Sequence, residues 1–146
     1  MDLAKRPFGG FHVKITRMKK AGTWSLQIIL AMVFLSVGMA KISGVQSSIE
    51  MFREIGWGQW LRVFVGILEV SASVLLLFGP YATLGAGLLL ISMVGAVMAH
   101  LWLIGGSIVP ALVLGIVAGL VMFMRQRIRL DEEREALRES RTRKSA

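Results

Sequence analysis

The chain has 146 residues, of which 55% are hydrophobic and only 18% charged, and it contains no cysteine. Soluble domains carry about a quarter charged residues, so this composition and a mean hydropathy of +0.66 exclude an ordinary soluble domain. Without cysteine there is no disulfide exchange, no cysteine-ligated iron–sulfur cluster and no thiolate-bound zinc, and no metal site is expected.

The net charge of +8 does not read as a nucleic-acid footprint, because 14 of the 17 Lys and Arg lie before Trp24 or after Met124. Residues 1–23 form a basic tail that includes Lys14, Arg17, Lys19 and Lys20. Four apolar runs follow over residues 24–124, each long enough to cross a bilayer at roughly 20 residues per crossing. The first runs from Trp24 to Ala40 and ends at Lys41. With the preceding lysines and Gly38-Met39-Ala40 it imitates a secretory signal, but the basic segment before it is unusually long. An uncleaved span is the expectation.

Between Ile42 and Gln59 lies a connection in which Val45, Ile49, Phe52 and Ile55 recur at helical spacing, consistent with a short interfacial helix or an irregular loop. The second run, Trp60 to Phe78, is interrupted by Arg62 and Glu69 and ends at the turn signal Gly79-Pro80. The third, Ala82 to Ile104, holds His100 and ends at Gly105-Gly106-Ser107. The fourth, Ile108 to Met124, carries the small-residue ridge Ala111, Gly115 and Gly119, and stops at Arg125. Such ridges pack helices closely, within a bundle or between subunits, so a homo-oligomer is one expectation. Residues 125–146 form a charged tail, read as a solvated helix extending the last span and supported by Asp131–Arg134 and Glu135–Arg138 pairs. Its basic residues would also attract anionic lipid heads.

These elements imply an all-α integral membrane four-helix bundle with antiparallel neighbours, because short turns join successive spans. Basic residues collect on the cytoplasmic side, so both tails read as cytoplasmic and the number of crossings as even. Trp57, Trp60 and Trp102 then belong to the outer aromatic belt, and Trp24 and Tyr81 to the inner one.

Three ionisable residues sit within or at the edge of the spans: Lys41, Glu69 and His100. Charges are expensive at that depth and are functional candidates for that reason. Helical spacing groups Gln27, Ala31, Phe34, Gly38 and Lys41 on one face of the first span. It groups Arg62, Gly66, Glu69 and Ser73 on the second, and Ser92, Ala96 and His100 on the third. The three ionisable groups are therefore expected to face one cavity opening outward. The bland alternatives are an ion pair of Glu69 with Arg62 or Lys41 that only fixes register, a Lys41 that snorkels to the interface, and a His100 bonded to a helix neighbour. A haem between two histidines is excluded by placement, since His12 lies in the opposite tail. Any redox role must rely on a mobile carrier such as quinone, or on a cofactor in a partner.

The stretch from Leu26 to Phe123 resembles the DoxX-like family of small four-helix membrane proteins. The resemblance rests on Gly38-Met39-Ala40-Lys41, Gly66-Ile67-Leu68-Glu69, Leu75 through Pro80, Gly85-Ala86, and Met93 through Ala96 to His100. It implies a multi-pass protein of the bacterial cytoplasmic (inner) membrane. The family takes its name from a membrane subunit associated with quinone-linked thiosulfate oxidation, and some eukaryotic relatives look like assembly chaperones. Two functions follow from the resemblance. One is the membrane subunit of a quinone-linked oxidoreductase, with Lys41, Glu69 and His100 in a quinone pocket, Glu69 and His100 relaying protons, and a soluble or membrane oxidoreductase as partner. The other is a non-enzymatic assembly or scaffold protein. Solute transport lacks a visible inverted repeat or broken helix.

The charge distribution makes one direct prediction. Topology reporters fused after Ser48 and at Ala146 will report outside and inside respectively, and an external C-terminus would overturn the orientation.

Overall fold

The computed structural model describes the backbone over residues 8–145, and the side chains over 20–138 and 140–144. Five α-helices account for almost all of it: α1 (Phe8–Ser43), α2 (Gln46–Ile55), α3 (Gln59–Leu77), α4 (Ala82–Ala99) and α5 (Val109–Ser145). No strand occurs among the described residues. Four segments are long and apolar enough to cross a membrane: Lys20–Ser43, Gln59–Leu77, Gly79–Ile104 and Val109–Lys144. These are the four expected spans, and the connection from residue 42 to 59 is the short helix α2. Phe52, from its apolar stripe, is buried, whereas Val45 is exposed.

The surface is that of a protein solvated by lipid. Ile91, Ile116 and Ile29 are 68%, 63% and 62% exposed, while Gln27, Glu69 and Ser73 are wholly buried. In water that distribution would present large apolar patches; in hydrocarbon the helices satisfy their own backbones and turn polar side chains inward. Because lipid tails are as apolar as leucine, helix association rests on close packing of small residues. Ala31, Ala72, Ala86 and Ala118 accordingly lie in the core of the bundle with Phe34, Leu76 and Leu89. The four long helices close into a ring in which α1 packs on α3, α3 on α4, α4 on α5 and α5 back on α1.

The turns follow the local chemistry. Phe78 is extended, and Gly79-Pro80-Tyr81 makes one 3-10 turn that reverses the chain from α3 into α4. After α4 the chain does not run on as α-helix to Ile104: His100–Ile104 form a π-helical turn, closed at Gly105 with φ +70°. Hydrophobic periodicity carried no sign of this widening. At the other end, Lys20 meets Glu132 at 2.7 Å, so the two tails leave the bundle on the same side, as an even number of crossings requires. Among the described residues the tail ion pairs are this one and Arg129–Glu133 at 3.4 Å, in place of the expected Asp131–Arg134 and Glu135–Arg138. Among the described residues α1 is already helical from Phe8, well before the apolar run, and α5 continues unbroken through the charged tail.

Helices α3 and α4 touch backbone to backbone at Gly85. A Cβ there would lie 2.6 Å from both Ala72 O and Leu76 N, atoms that cannot yield. Gly95, ten residues further along the same helix, has nothing within 4 Å of such a carbon. Gly85→Ala will therefore destabilise the bundle by about 1–3 kcal/mol through overpacking, whereas Gly95→Ala will be neutral or stabilising by up to about 1 kcal/mol through helix propensity. Thermal denaturation of the two variants in the same detergent checks the contrast.

Candidate functional site

The site is built on the crossing of α1 and α3. At Gly38 and Gly66 the two backbones approach so closely that a Cβ on Gly66 would stand 2.9 Å from Gly38 O, and one on Gly38 would stand 3.0 Å from Gly66 O. Lys41 lies one turn beyond Gly38, and Glu69 one turn beyond Gly66, on the faces that meet. The crossing thus delivers an ammonium group to a carboxylate. Lys41 Nζ donates to both Glu69 oxygens at 2.6 Å. Ser92 Oγ from α4 donates to Glu69 Oε1 at 3.1 Å, and Ser73 Oγ donates to the Glu69 carbonyl at 2.7 Å.

Burial divides the pair. The Glu69 side chain is 0% exposed, while that of Lys41 keeps 13% exposure. A carboxylate with no access to water is tolerated only when paired and hydrogen-bonded, and α1 and α4 supply both partners.

Arg62 does not reach the carboxylate. Its Nη1 donates to Lys41 O, a carbonyl at the end of α1 that also accepts from Gly44 N at 3.3 Å, and its Nε donates to Gln59 Oε1 at 2.7 Å. Gln59 Nε2 in turn donates to Ile49 O at 3.1 Å, which ties α2 to the network. Of the two register-fixing pairs open to Glu69 from the sequence, the structure contains the one with Lys41. Arg62 caps the helix that carries it.

His100 is placed differently. Its Nδ1 donates to Gly105 O at 2.9 Å, while Gly105 N donates to His100 O at 2.9 Å, so the residue closes its own π turn. Since Nδ1 is the donor, Nε2 is the acceptor in the neutral ring. No hydrogen bond joins His100 to Lys41 or Glu69; the residue of its stripe that reaches the carboxylate is Ser92. The π turn packs against α2. Of the three expected residues, the structure brings two together and leaves the third in a neighbouring turn.

A second polar cluster lies about 21 Å along α1 from the first, at a rise of about 1.5 Å per residue from Lys41 back to Gln27. Gln27 is wholly buried; its Nε2 donates to Leu76 O near the end of α3, and its Oε1 accepts from Arg125 Nε at 2.6 Å. The Arg125 guanidinium lies over the Trp24 ring, with Cζ 5.0 Å from the centroid. Sequence reading placed Gln27 only on a stripe and used Arg125 only as a topology charge. The available signal was that Trp24, Gln27 and Arg125 all fall at one bilayer interface.

The energetics of the pair are testable. Replacing Lys41 by Met will cost about 3–5 kcal/mol, because it leaves the wholly buried Glu69 carboxylate without its partner, and Glu69→Leu will cost less because Lys41 keeps some exposure. The double variant Lys41→Met, Glu69→Leu will recover most of that loss. A double-mutant cycle of unfolding in detergent checks both statements, and strictly additive losses would contradict them.

Comparison with known proteins adds the family. Residues 23–105 match the DoxX family model. Over 91 residues the chain is 31% identical to the "Uncharacterized protein YdgD" of Bacillus subtilis (strain 168), a match covering 60% of this chain and 80% of that protein. Over 77 residues it is 26% identical to the "Putative oxidoreductase CatD" of the same organism, covering 53% of this chain and 58% of that protein. No solved structure gives a significant match. The family match takes in Gln27, Lys41, Arg62, Glu69, Ser92 and His100 and stops short of α5. This four-span membrane protein belongs to the DoxX family.

Proposed function

We propose that the chain is a membrane-embedded component of a quinone-linked oxidoreductase system in a bacterial cytoplasmic membrane, and that the Lys41–Glu69 pair handles its protons. The observation that carries this reading is a carboxylate sealed inside the bundle and bonded through both oxygens to an ammonium group that retains exposure. The relative named as a putative oxidoreductase supports the reaction class, and both relatives come from a bacterium.

A quinone head group presents carbonyl oxygens that need donors, and when bound it supplies two-electron redox chemistry coupled to proton uptake. Lys41 fits the donor role, since its side chain is reachable and an ammonium has three N–H groups. Glu69 fits a place behind Lys41 rather than in contact with the ligand, because none of its side chain is exposed. Passing one proton from Lys41 Nζ to a Glu69 oxygen turns the ion pair into an amine and a carboxylic acid without changing its net charge. The pair can therefore give or take a proton at Nζ with Ser92 holding the carboxyl group in place. His100, bonded within its own turn, keeps Nε2 for a separate contact.

A second reading rests on a specific feature of the same pair. Its hydrogen bonds join three helices, so it also suits a scaffold whose polar groups only fix register, with no chemistry of its own. The Glu69→Gln variant separates the two, because the amide keeps shape and hydrogen bonding but exchanges no carboxyl proton. Gently extracted protein will retain quinone, detected by mass spectrometry. Glu69→Gln will keep its fold and its quinone while the quinone-dependent turnover of the co-purified complex falls by about 100-fold or more, the scale of lost acid–base catalysis. Reduced thermal stability with normal turnover would retire the redox reading in favour of the scaffold.

A further inference from the structure

At the end of the bundle that bears both tails, a cavity of about 510 Å³ opens between α1, the turn at Gly79-Pro80 and α5. Its lining includes Lys20, Trp24, Thr83, Arg125, Arg129 and Glu132, three cations against one acid. Neither the ion pair of the proposed function nor His100 belongs to it.

Arg125 is the telling member. Its Nε is committed to Gln27 and its face is stacked on Trp24, yet Nη2 is enclosed and finds no acceptor among the described residues. Buried donors of charged groups are nearly always paired, because leaving one without an acceptor forfeits its hydration. The nearby acid that could serve is already held: Glu132 accepts from Lys20 at 2.7 Å. The chain thus collects positive charge around a cavity and supplies no acceptor for its most enclosed donor.

We propose that this cavity binds a phosphate group carried on a small organic body. Guanidinium groups match phosphate oxygens in both geometry and charge. The volume exceeds what inorganic phosphate needs and suits a phosphoglycerol-sized group. The site lies where a span meets its basic tail, with Trp24 40% exposed beside it, so the phosphate is accessible either on an anionic lipid head or on a soluble monoester. Glu132 opposes the ligand, and its bridge to Lys20 must give way when the site fills.

Thermal unfolding of the full-length protein in a neutral detergent tests this with three probes: phosphatidylglycerol, zwitterionic phosphatidylcholine as control, and glycerol 1-phosphate at constant ionic strength. Phosphatidylglycerol or glycerol 1-phosphate will raise Tm by about 3 °C or more at saturation, and phosphatidylcholine will not. A response to the lipid alone identifies a headgroup site, and a response to glycerol 1-phosphate identifies a soluble ligand. The Lys20→Gln, Arg129→Gln variant, which leaves the Arg125–Gln27 bond in place, will lose most of the shift, and Glu132→Gln will reach it at lower ligand concentration. No shift with either phosphate probe overturns the proposal. So does an undiminished shift in the double variant, which would mark general attraction to a basic tail.

Discussion

Everything distinctive about this bundle depends on keeping one carboxylate away from both water and lipid. Glu69 stands at the centre of the α1–α3–α4 contact, and a charge there is stable only while its partners are held within hydrogen-bond reach. The bare backbones at Gly38 and Gly66 make that possible, since any side chain at the crossing would push α1 and α3 apart and lengthen the 2.6 Å contacts. Packing and electrostatics are here one constraint. The glycines bring the helices together, and the ion pair selects which faces meet.

A common logic runs through both ends of the bundle. The last carbonyls of a helix lack intrahelical donors, and in a membrane protein few waters are at hand to replace them. Arg62 from α3 covers Lys41 O at the end of α1, and Gln27 from α1 covers Leu76 O near the end of α3. The two helices cap each other at opposite ends. Each capping side chain is in turn anchored by another, Arg62 by Gln59 and Gln27 by Arg125, so the caps extend into networks that reach α2 and α5.

Much of this is legible in the sequence. Span number, turns and the inward-facing stripes follow from hydropathy, from Gly and Pro placement and from a 3.6-residue repeat. Gln27, Phe34 and Gly38 of the first stripe, and Gly66, Glu69 and Ser73 of the second, are all buried. The same stripes narrowed Glu69's partners to Lys41 or Arg62. Choosing between them needed the helix crossing, because Arg62 shares α3 with Glu69 while Lys41 reaches it only across the packed faces of α1 and α3. The bonding partner of His100 was hidden for a different reason. His100 keeps its α-helical place after Ala96, but the π turn that begins there brings Gly105 O to its ring, and apolar periodicity carries no sign of such a turn. The Arg125–Gln27 bond spans 98 residues of chain, and no local pattern encodes a contact of that separation.

The continuity of α5 has a mechanical consequence. Thirty-seven residues of unbroken helix measure about 55 Å, nearly twice the hydrocarbon thickness of roughly 30 Å, so the last turns form a rod standing clear of the bilayer. Lys20 touches this rod at Glu132 like a light bracket on a mast, an exposed contact worth little alone, while the packing of α5 on α4 and α1 sets its rotation about its own axis. Whatever docks on the outer turns is therefore presented at a set azimuth. Adding or removing one residue above the bracket swings that direction by about 100°. The tail's length in residues is accordingly a setting of angle as much as of reach.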